Sequence, residues 1–380
     1  MRHLLIAGVT TRALAVSAVR AGWRVTAVDA FGDLDLRAVA TVASAAGTVG
    51  KRFSPAAAAR AARGVTADAV AYTSNFENHP EAVASLARGR QLLGNTPDVL
   101  EQIRNPLILM RALRRRGFAV PDTRASAPPF HSSERWLTKP RRSGGGHGTS
   151  SWHGDPVRRS AYLQARIRGT PGSISFLADG RHSVPIGLSL QLVGEAAFGA
   201  RGFKYCGSLL AGGKTPLFHL AGEVAATAAA LAAAVTEEFG LVGLNGLDFI
   251  ARDGIPFPIE VNPRYSASME LVERALPHVS LFRLHERACG GLLPSDTATP
   301  RHVAGKSVVF SRRAVMIGDT SHWAADGIAD IPHPGDRIGR GHPICTVFAE
   351  GRDARECRER LVRKAARIYR AVAPPARGAA

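Results

Sequence analysis

Residues 244–269 read LNGLDFIARDGIPFPIEVNPRYSASM and form the stretch around which the chain is organised. Two short runs, 245–250 and 257–262, are apolar and β-prone, and the second is closed by Pro263. Between them, Arg252-Asp253-Gly254 is typical of a tight turn. The stretch therefore predicts two strands folded back on each other as a hairpin.

One face of this hairpin is expected to carry polar side chains. Alternate residues of a strand share a face, so Glu260, Asn262 and Arg264 point the same way, with Asp248 on the partner strand. Carboxylate and amide oxygens suit Mg²⁺, and arginine suits a carboxylate or phosphate. The alternative is a solvated polar face, but such a face does not require Asn-Pro-Arg directly after the acid.

Composition limits the classes of protein to consider. At 380 residues, two or three domains are expected. The net charge is +18, yet only six of the 49 basic residues are lysine, which indicates biased residue usage more than a designed basic patch. The four scattered cysteines argue against disulfides or structural zinc, and they favour a reducing, cytoplasmic location. No apolar run is long enough to cross a membrane, and polar residues 10–12 argue against a signal peptide.

The amino-terminal part has the pattern of an α/β domain. A strand at 4–7, a helix at 12–21 and a strand at 23–29 make a βαβ start. The first turn lacks G-x-G-x-x-G, so a dinucleotide site is not expected. The polar loop 73–78 follows another predicted strand and is expected to face the active site. Its alternative role is to cap the helix after Pro80.

A glycine-dense loop follows a predicted strand at 135–140. Residues 143–149 read SGGGHGT, and such a loop lets backbone N–H groups approach phosphate oxygens. Lys139, just before it, supplies a point charge for the same phosphates. The loop is not a P-loop, because no Gly-Lys-Ser/Thr ends it. The alternative is a flexible surface loop.

Composition shifts and the remaining elements divide the chain. The Ala-rich stretch 220–239 and residues 270–290 predict two long helices. Pro-containing segments near 94–97 and 294–300 look like boundaries. We therefore expect domains at 1–96, 97–294 and 300–373, followed by a disordered tail at 374–380.

The order of these motifs resembles that of the ATP-grasp superfamily. A lysine and a glycine loop precede Gln164-x-x-Ile167, and Asp248 precedes Glu260-Val-Asn-Pro-Arg264 by twelve residues. Over residues 97–292 the resemblance implies an ATP-grasp fold, with an amino-terminal Rossmann-like pre-ATP-grasp domain and a small carboxy-terminal α+β domain. Stretches 29–33, 191–195, 203–207 and 341–345 are similar to the branch that contains tyramine–glutamate ligase of methanofuran synthesis and its methylotroph and planctomycete relatives.

The resemblance implies a role for each matching residue. Lys139 contacts the ATP phosphates, and Arg264 orients the acyl phosphate or the γ-phosphate. The loop over the phosphates consists of Gly144, Gly145, Gly146, His147 and Gly148. The adenine pocket consists of Gln164, Arg166 and Ile167. The ligands of Mg²⁺, with Mn²⁺ as an alternative ion, are Asp248, Glu260 and Asn262.

One departure from the family pattern leaves a question open. Many relatives have a second phosphate lysine where this chain has Asn105, next to Arg104. Either Arg104 replaces the lysine, or the loss marks a difference between branches.

The resemblance implies an ATP-dependent carboxylate–amine ligase that works through an acyl phosphate, with glutamate and a tyramine-like amine as suggested substrates. One alternative is an ATP-grasp carboxylase or kinase that uses bicarbonate or another acid. A second is a non-enzymatic basic protein that binds nucleic acid, although no such motif is present. The expected partners are ATP and small carboxylate and amine substrates, with no membrane and no specific nucleic acid, and the assembly considered is a homodimer.

Overall fold

The computed structural model describes residues 1–44, 53–127, 135–212 and 215–373. The tail predicted to be disordered, 374–380, lies outside these residues. The strands are β1 His3–Ala7, β2 Arg24–Asp29, β3 Thr41–Ser44, β4 Ala69–Tyr72, β5 Gln91–Leu92, β6 Thr123–Arg124, β7 Trp136–Pro140, β8 Ser150–Ser151, β9 Ala161–Ala165, β10 Thr170–Asp179, β11 Ser183–Val193, β12 Tyr205–Leu210, β13 Val242–Arg252, β14 Ile255–Asn262, β15 Val303–Phe310, β16 Val315–Met316, β17 Arg337–Ile338 and β18 Pro343–Gly351.

The helices are α1 Arg12–Arg20, α2 Leu34–Arg37, α3 Pro55–Ala61, α4 Pro80–Ala87, α5 Pro97–Ile103, α6 Pro106–Arg115, α7 Ala221–Phe239, α8 Met269–Ala275, α9 Leu281–Cys289 and α10 Ala354–Ala371. Short 3₁₀ turns occur at Ala62–Gly64, Phe76–Asn78 and Ala196–Phe198. Among the described residues, no helix combines the length and the apolar composition needed to cross a membrane.

The amino-terminal part is a parallel sheet in the order β3-β2-β1-β4-β5. Strands β1 and β4 are buried along their whole length, as expected for central strands of a sheet covered on both faces. The carboxyl ends of parallel strands meet at one edge. The loop after β4, residues 73–78, therefore lies beside the turn between β1 and α1, where Thr73 Oγ1 donates to the Thr10 oxygen at 2.8 Å.

The predicted hairpin is the edge of the large central sheet, whose order is β14-β13-β10-β11-β12-β15-β18. Its two-residue turn is Asp253-Gly254, with φ of 52° and 78°, as a type I′ hairpin turn requires. The Ala-rich helix α7 and the carboxy-terminal helix α10 pack on this sheet around a shared apolar core.

The carboxy-terminal segment continues the same sheet. Strand β15 pairs with β12, and β18 pairs with β15 on the outer side. Side chains of α10, such as Leu361 and Ile368, belong to the same core as those of α7. The domain division at residues 97 and 300 stays a prediction, and the sheet itself runs across the second boundary.

A smaller sheet, in the order β6-β9-β7-β8, carries the glycine loop between β7 and β8. Lys139 is on β7 and Gln164 is on β9, the adjacent strand. Both strands place these side chains on the side of the central cavity.

The prediction of a single helix at 270–290 is wrong. The structure has two helices there, α8 and α9, and the chain leaves the helical conformation at Leu276, whose φ is −128° and ψ is 74°. Pro277 explains the break, since proline disfavours helical backbone in the residue before it and has no N–H to donate.

Candidate active site

A cavity of about 1620 Å³ opens between the amino-terminal sheet, the glycine-loop sheet and the central sheet. Its walls include the loop 73–77, the glycine loop and the polar face of the hairpin. Segments as far apart in the sequence as Thr73 and Arg264 therefore line one cavity.

The three predicted metal ligands lie together on the central sheet. Asp248 is directly opposite Glu260 in the β13–β14 register. The Asn262 amide donates to Asp248 Oδ2 at 3.0 Å, and the Gln191 amide donates to Asp248 Oδ1 at 2.9 Å. Burial and the neighbouring Glu260 carboxylate raise the pKa of Asp248 to about 6.

This set of side chains fits a divalent cation. Asp248 is a half-buried carboxylate whose hydrogen bonds come from neutral groups, and it faces a second carboxylate. A bound cation offsets the repulsion that raises its pKa. The described residues contain no cluster of three His, Cys, Asp or Glu side chains placed for a metal, so the set consists of Asp248, Glu260 and the Asn262 amide. Such a set matches Mg²⁺, which takes its other oxygens from water and phosphate.

Arg264 lies beside this set but is already paired. Its Nη2 donates to Glu77 Oε1 at 2.6 Å and to Asn262 Oδ1 at 3.2 Å. Glu77 is 1% exposed, and although burial opposes ionisation, the Arg264 guanidinium lowers its pKa. Arg264 Nε and Glu77 Oε2 are buried and have no hydrogen-bond partner in the described part of the chain. Glu77 lies in the polar loop predicted to face the active site, but its sequence position did not identify it as the partner of Arg264.

Arg104, rather than Asn105, faces the cavity. Its Nη1 donates to Glu260 Oε2 at 3.2 Å and to the Val261 oxygen at 2.8 Å, and its Nη2 donates to the Ser143 oxygen at 2.9 Å. The Asn105 side chain instead accepts from the Leu107 N–H and caps helix α6. The cation that faces the cavity is therefore Arg104, which lies between the predicted metal ligands and the glycine loop.

Lys139 and Gln164 are in contact on the smaller sheet. Lys139 Nζ donates to Gln164 Oε1 at 3.0 Å and lies 5.8 Å from the centre of the Tyr162 ring. Arg166 and Ile167 also line the cavity. The Arg166 N–H donates to the Arg135 oxygen at 2.7 Å, so the backbone amide of Arg166 is already used in a hydrogen bond between neighbouring segments. Its role in reading adenine, like those of Gln164 and Ile167, stays a prediction.

The glycine loop is docked on the segment before β12. A Cβ at Gly146 would lie 1.8 Å from the Phe203 oxygen, so only glycine allows this approach. The Tyr205 N–H donates to the Gly145 oxygen at 3.0 Å. His147 lines the cavity, and burial and the nearby Lys204 lower its pKa. Gly144 also lines the cavity, whereas Gly148 packs on Pro140.

The far end of the cavity holds charged residues that the sequence did not single out. Arg12 Nη1 donates to Glu270 Oε1 at 2.6 Å and Arg12 Nε to Asp330 Oδ1 at 2.7 Å. Lys306 Nζ donates to the second oxygen of Glu270 at 2.5 Å. We call these four residues the acceptor-end network. They come from α1, α8, β15 and the segment before β18, and no local sequence motif predicts that they meet.

Comparison with known proteins identifies a domain that contains much of this site. A family model described as an ATP-grasp domain matches residues 103–268. An uncharacterized protein of Methanocaldococcus jannaschii is 23% identical over 273 residues, which are 68% of this chain and 64% of that relative. The chain thus spans less than two thirds of the length of this relative.

Three solved structures are similar over nearly the whole chain. N5-carboxyaminoimidazole ribonucleotide synthetase from Thermus thermophilus has a TM-score of 0.65 and 19% identity, covering 98% of this chain and 99% of its own. L-amino acid ligase from Bacillus licheniformis has a TM-score of 0.69 and 14% identity, covering 97% of both chains. The biotin carboxylase domain dimer of Hydrogenobacter thermophilus 2-oxoglutarate carboxylase, in complex with MgADP, ADP and bicarbonate, has a TM-score of 0.67 and 13% identity, covering 95% and 88%.

The likeness confirms the fold expected from the order of the sequence motifs. It does not single out the tyramine–glutamate ligase branch. The chain has an ATP-grasp domain at residues 103–268 and the ATP-grasp fold along nearly its whole length.

Proposed function

We propose that this protein is an ATP-dependent carboxylate–amine ligase that forms an amide through an acyl phosphate. The observation that carries the proposal is the shared cavity. It joins the Asp248–Glu260–Asn262 face to Lys139 and the glycine loop on one side, and to a separate, charged end on the other. A ligase needs this division, since nucleotide and substrates must meet at one phosphoryl group.

In the first step, a substrate carboxylate oxygen attacks the γ-phosphorus of ATP, and the bond to the β-phosphate oxygen breaks. Catalysis of this step depends on position and electrostatics. Asp248, Glu260 and Asn262 would hold Mg²⁺, and the ion would neutralise phosphate charge there. Lys139 and Arg104 add fixed positive charge from two sides of the cavity. The glycine loop excludes water from the phosphates.

In the second step, an amine attacks the acyl carbon and phosphate leaves with the oxygen that came from the carboxylate. The amine loses a proton as the amide forms. No covalent bond to the protein is required. The role of Arg264 in this scheme is to hold the carboxylate beside the metal set, where its neighbour Glu77 fixes the guanidinium.

The test follows one oxygen atom. With [¹⁸O]carboxylate-labelled glutamate and tyramine as the first pair, followed by other acids and amines, turnover is expected to place one ¹⁸O in inorganic phosphate. Phosphate that carries only solvent oxygen contradicts the acyl-phosphate route and indicates an ATPase. Arg264→Lys is expected to slow label transfer more than it weakens ATP binding, because an ammonium cannot hold a carboxylate bidentately.

A second candidate is a carboxylase. The similar structure of the 2-oxoglutarate carboxylase domain holds bicarbonate together with MgADP, and this observation favours bicarbonate as an alternative acid. ADP release that depends on bicarbonate and is unaffected by amino acids supports the carboxylase. ADP release that requires a carboxylate and an amine supports the ligase. Salt-sensitive DNA binding without Mg²⁺-dependent ATP binding contradicts both.

We further propose a division at residues 97 and 300 and assembly as a homodimer. Limited proteolysis is expected to cut near these positions, and sedimentation equilibrium is expected to give twice the 40.2 kDa chain mass.

A further inference from the structure

The acceptor-end network is placed to contact a substrate as well as to hold the fold together. The side chains of Arg12, Glu270 and Lys306 are 7%, 7% and 6% exposed, whereas Asp330 is 25% exposed. All four line the cavity. Apolar residues of similar volume commonly stabilise a fold as well as buried ion pairs do. A mixed-charge network in a cavity wall is therefore a candidate for recognition.

Several polar groups of this network are not used within the described part of the chain. Arg12 Nη2 has no hydrogen-bond partner there, and Lys306 uses one of its three N–H groups. Tyr265 is 6% exposed and lines the cavity, and its hydroxyl makes no hydrogen bond of normal geometry to the described residues. Its electrostatic neighbours are Glu273 first, and then Glu270 and Arg12. Spare donors beside a cavity call for an anionic group.

The same end also has more acid than base. Glu270 and Asp330 in the cavity lining, together with Asp35 outside it, face two cations, Arg12 and Lys306. Burial opposes the ionisation of Glu270, yet Arg12 and Lys306 hold its pKa well below the usual range. Burial and the carboxylates of Asp330, Asp29 and Asp35 raise the pKa of Asp33 to about 9. Binding of an anion alone is therefore unfavourable in this region, whereas an anion that also carries a positive group can bind.

The acceptor-end network lies about as far from the predicted metal ligands as a small substrate is long. Gln191, which holds Asp248, pairs with Ser208 on β12, and Ser208 pairs with Lys306 on β15. Two strand spacings separate Gln191 from Lys306 by about 10 Å. The Tyr205 hydroxyl between them bonds Ser208, and Asp248 and Glu270 both contribute to its raised pKa after burial.

We propose that the acceptor-end network binds a zwitterionic substrate of the amino-acid class, with its ammonium at Asp330 and its carboxylate at Lys306 and Arg12. The inference rests on the proposed ligase function, which requires a small acid or amine in this cavity. Neither sign of charge alone explains the site, because spare donors and excess carboxylate occur side by side. A zwitterion satisfies both at once.

The test measures binding and does not require turnover. The full chain with MgADP is titrated with the standard L-amino acids by calorimetry, and the tightest binder is compared with two of its derivatives. The decarboxylated amine lacks the anion, and the N-acetyl acid lacks the cation. We expect each derivative to bind at least about tenfold more weakly, the cost of leaving one buried charged group unpaired.

Two variants assign the two charges. Asp330→Asn should lose the discrimination against the N-acetyl acid, and asparagine tolerates the φ of 55° at this position. Lys306→Met should lose the discrimination against the decarboxylated amine. Lys306→Arg keeps the positive charge and should retain the discrimination, and it keeps the test decisive if Lys306→Met does not fold. Exposed Asp326 and half-buried Lys364 lie outside the cavity wall, so Asp326→Asn and Lys364→Met are the matched controls.

The proposal is overturned if no amino acid binds, if both derivatives bind as tightly as the parent, or if the two network variants behave like their controls. These results are separable from the ligase test. Binding with discrimination but without ¹⁸O transfer retains the subsite and rejects the ligase. Transfer without discrimination retains the ligase and rejects the subsite.

Discussion

The Arg104 guanidinium lies 3.2 Å from the Glu260 carboxylate and bonds the backbone oxygen of the next residue, Val261. A cation from the end of α5 is thereby fixed beside the outermost carboxylate of the central sheet. Under the proposed metal assignment, a phosphate bound to Mg²⁺ at Glu260 would also lie near Arg104. This pair would connect the two halves of the proposed nucleotide site, and two of the predictions depend on it.

The first prediction concerns Glu260. Glu260→Gln removes one charge at nearly constant volume, and we expect Mg²⁺-dependent ADP release to fall about 100-fold, which corresponds to about 3 kcal/mol of lost transition-state stabilisation. The urea midpoint should stay near that of the wild type. Glu238→Gln, in a surface ion pair with Arg115, is the control. Wild-type turnover in Glu260→Gln would reject the metal assignment.

The second prediction separates Arg104 from its neighbour. Arg104→Ala should raise the KM for ATP about tenfold, since it removes a charge-assisted contact near the phosphates. Asn105→Ala should leave KM unchanged and lower the free energy of unfolding by about 1 kcal/mol, because it removes only the cap of α6. If Asn105→Ala alters KM and Arg104→Ala does not, the phosphate cation has been assigned to the wrong residue.

The third prediction concerns the lysine on β7. Lys139→Ala should weaken ATP binding and slow the phosphoryl step. Gln164→Leu, which removes the hydrogen bond to Lys139 Nζ at 3.0 Å, should weaken ATP binding but affect the chemical step less. Equilibrium titration with ATP and single-turnover kinetics measure the two effects. An unchanged Lys139→Ala enzyme would mean that the glycine loop is an ordinary surface loop.

The fourth prediction concerns the buried pair of Glu77 and Arg264. Removing one partner leaves the other charge buried and unpaired, so Glu77→Gln should lower the free energy of unfolding by about 3–5 kcal/mol. The double variant Glu77→Gln/Arg264→Met should lose less than the sum of the two single losses. Urea unfolding of the four proteins gives the coupling. Additive losses would show that the pair contributes no coupling energy.

The fifth prediction concerns pH and His285. Burial lowers its pKa from 6.5 to about 4, and its ring accepts from the Leu244 N–H at 2.8 Å while facing the Leu93 oxygen at 3.2 Å. Between these pH values the unfolded chain binds a proton that the folded chain does not. The free energy of unfolding should therefore fall as pH drops from 6.5 to 4, by at most about 3 kcal/mol.

His285→Gln should flatten this part of the pH profile, and exposed His322→Gln should not. The measurement is urea unfolding at a series of pH values, with each midpoint compared with that of the wild type. A wild-type slope in His285→Gln would assign the pH dependence to other groups.

The sequence by itself determined the hairpin and its turn. The alternation of β13 and β14 and the Asp253-Gly254 turn set the pairing from Arg252 opposite Ile255 to Phe249 opposite Pro258, and a β-bulge between Asp248 and Phe249 in the folded sheet then places Asp248 opposite Glu260. The same holds for α7, whose alanine run stops at Gly240 with φ of 67°. Propensity and turn chemistry act within a few residues, so they can be read without the fold.

Only the tertiary structure decided which charges meet across the chain. Arg12 and Asp330 are 318 residues apart, and Glu77 and Arg264 are 187 apart, so no periodicity or spacing links them. The sequence likewise left open whether Arg104 replaces the missing lysine, and only the packing directs the Arg104 guanidinium into the cavity while Asn105 caps α6. Ion pairs of this kind depend on how sheets and helices from distant segments pack, and the site is completed by that packing.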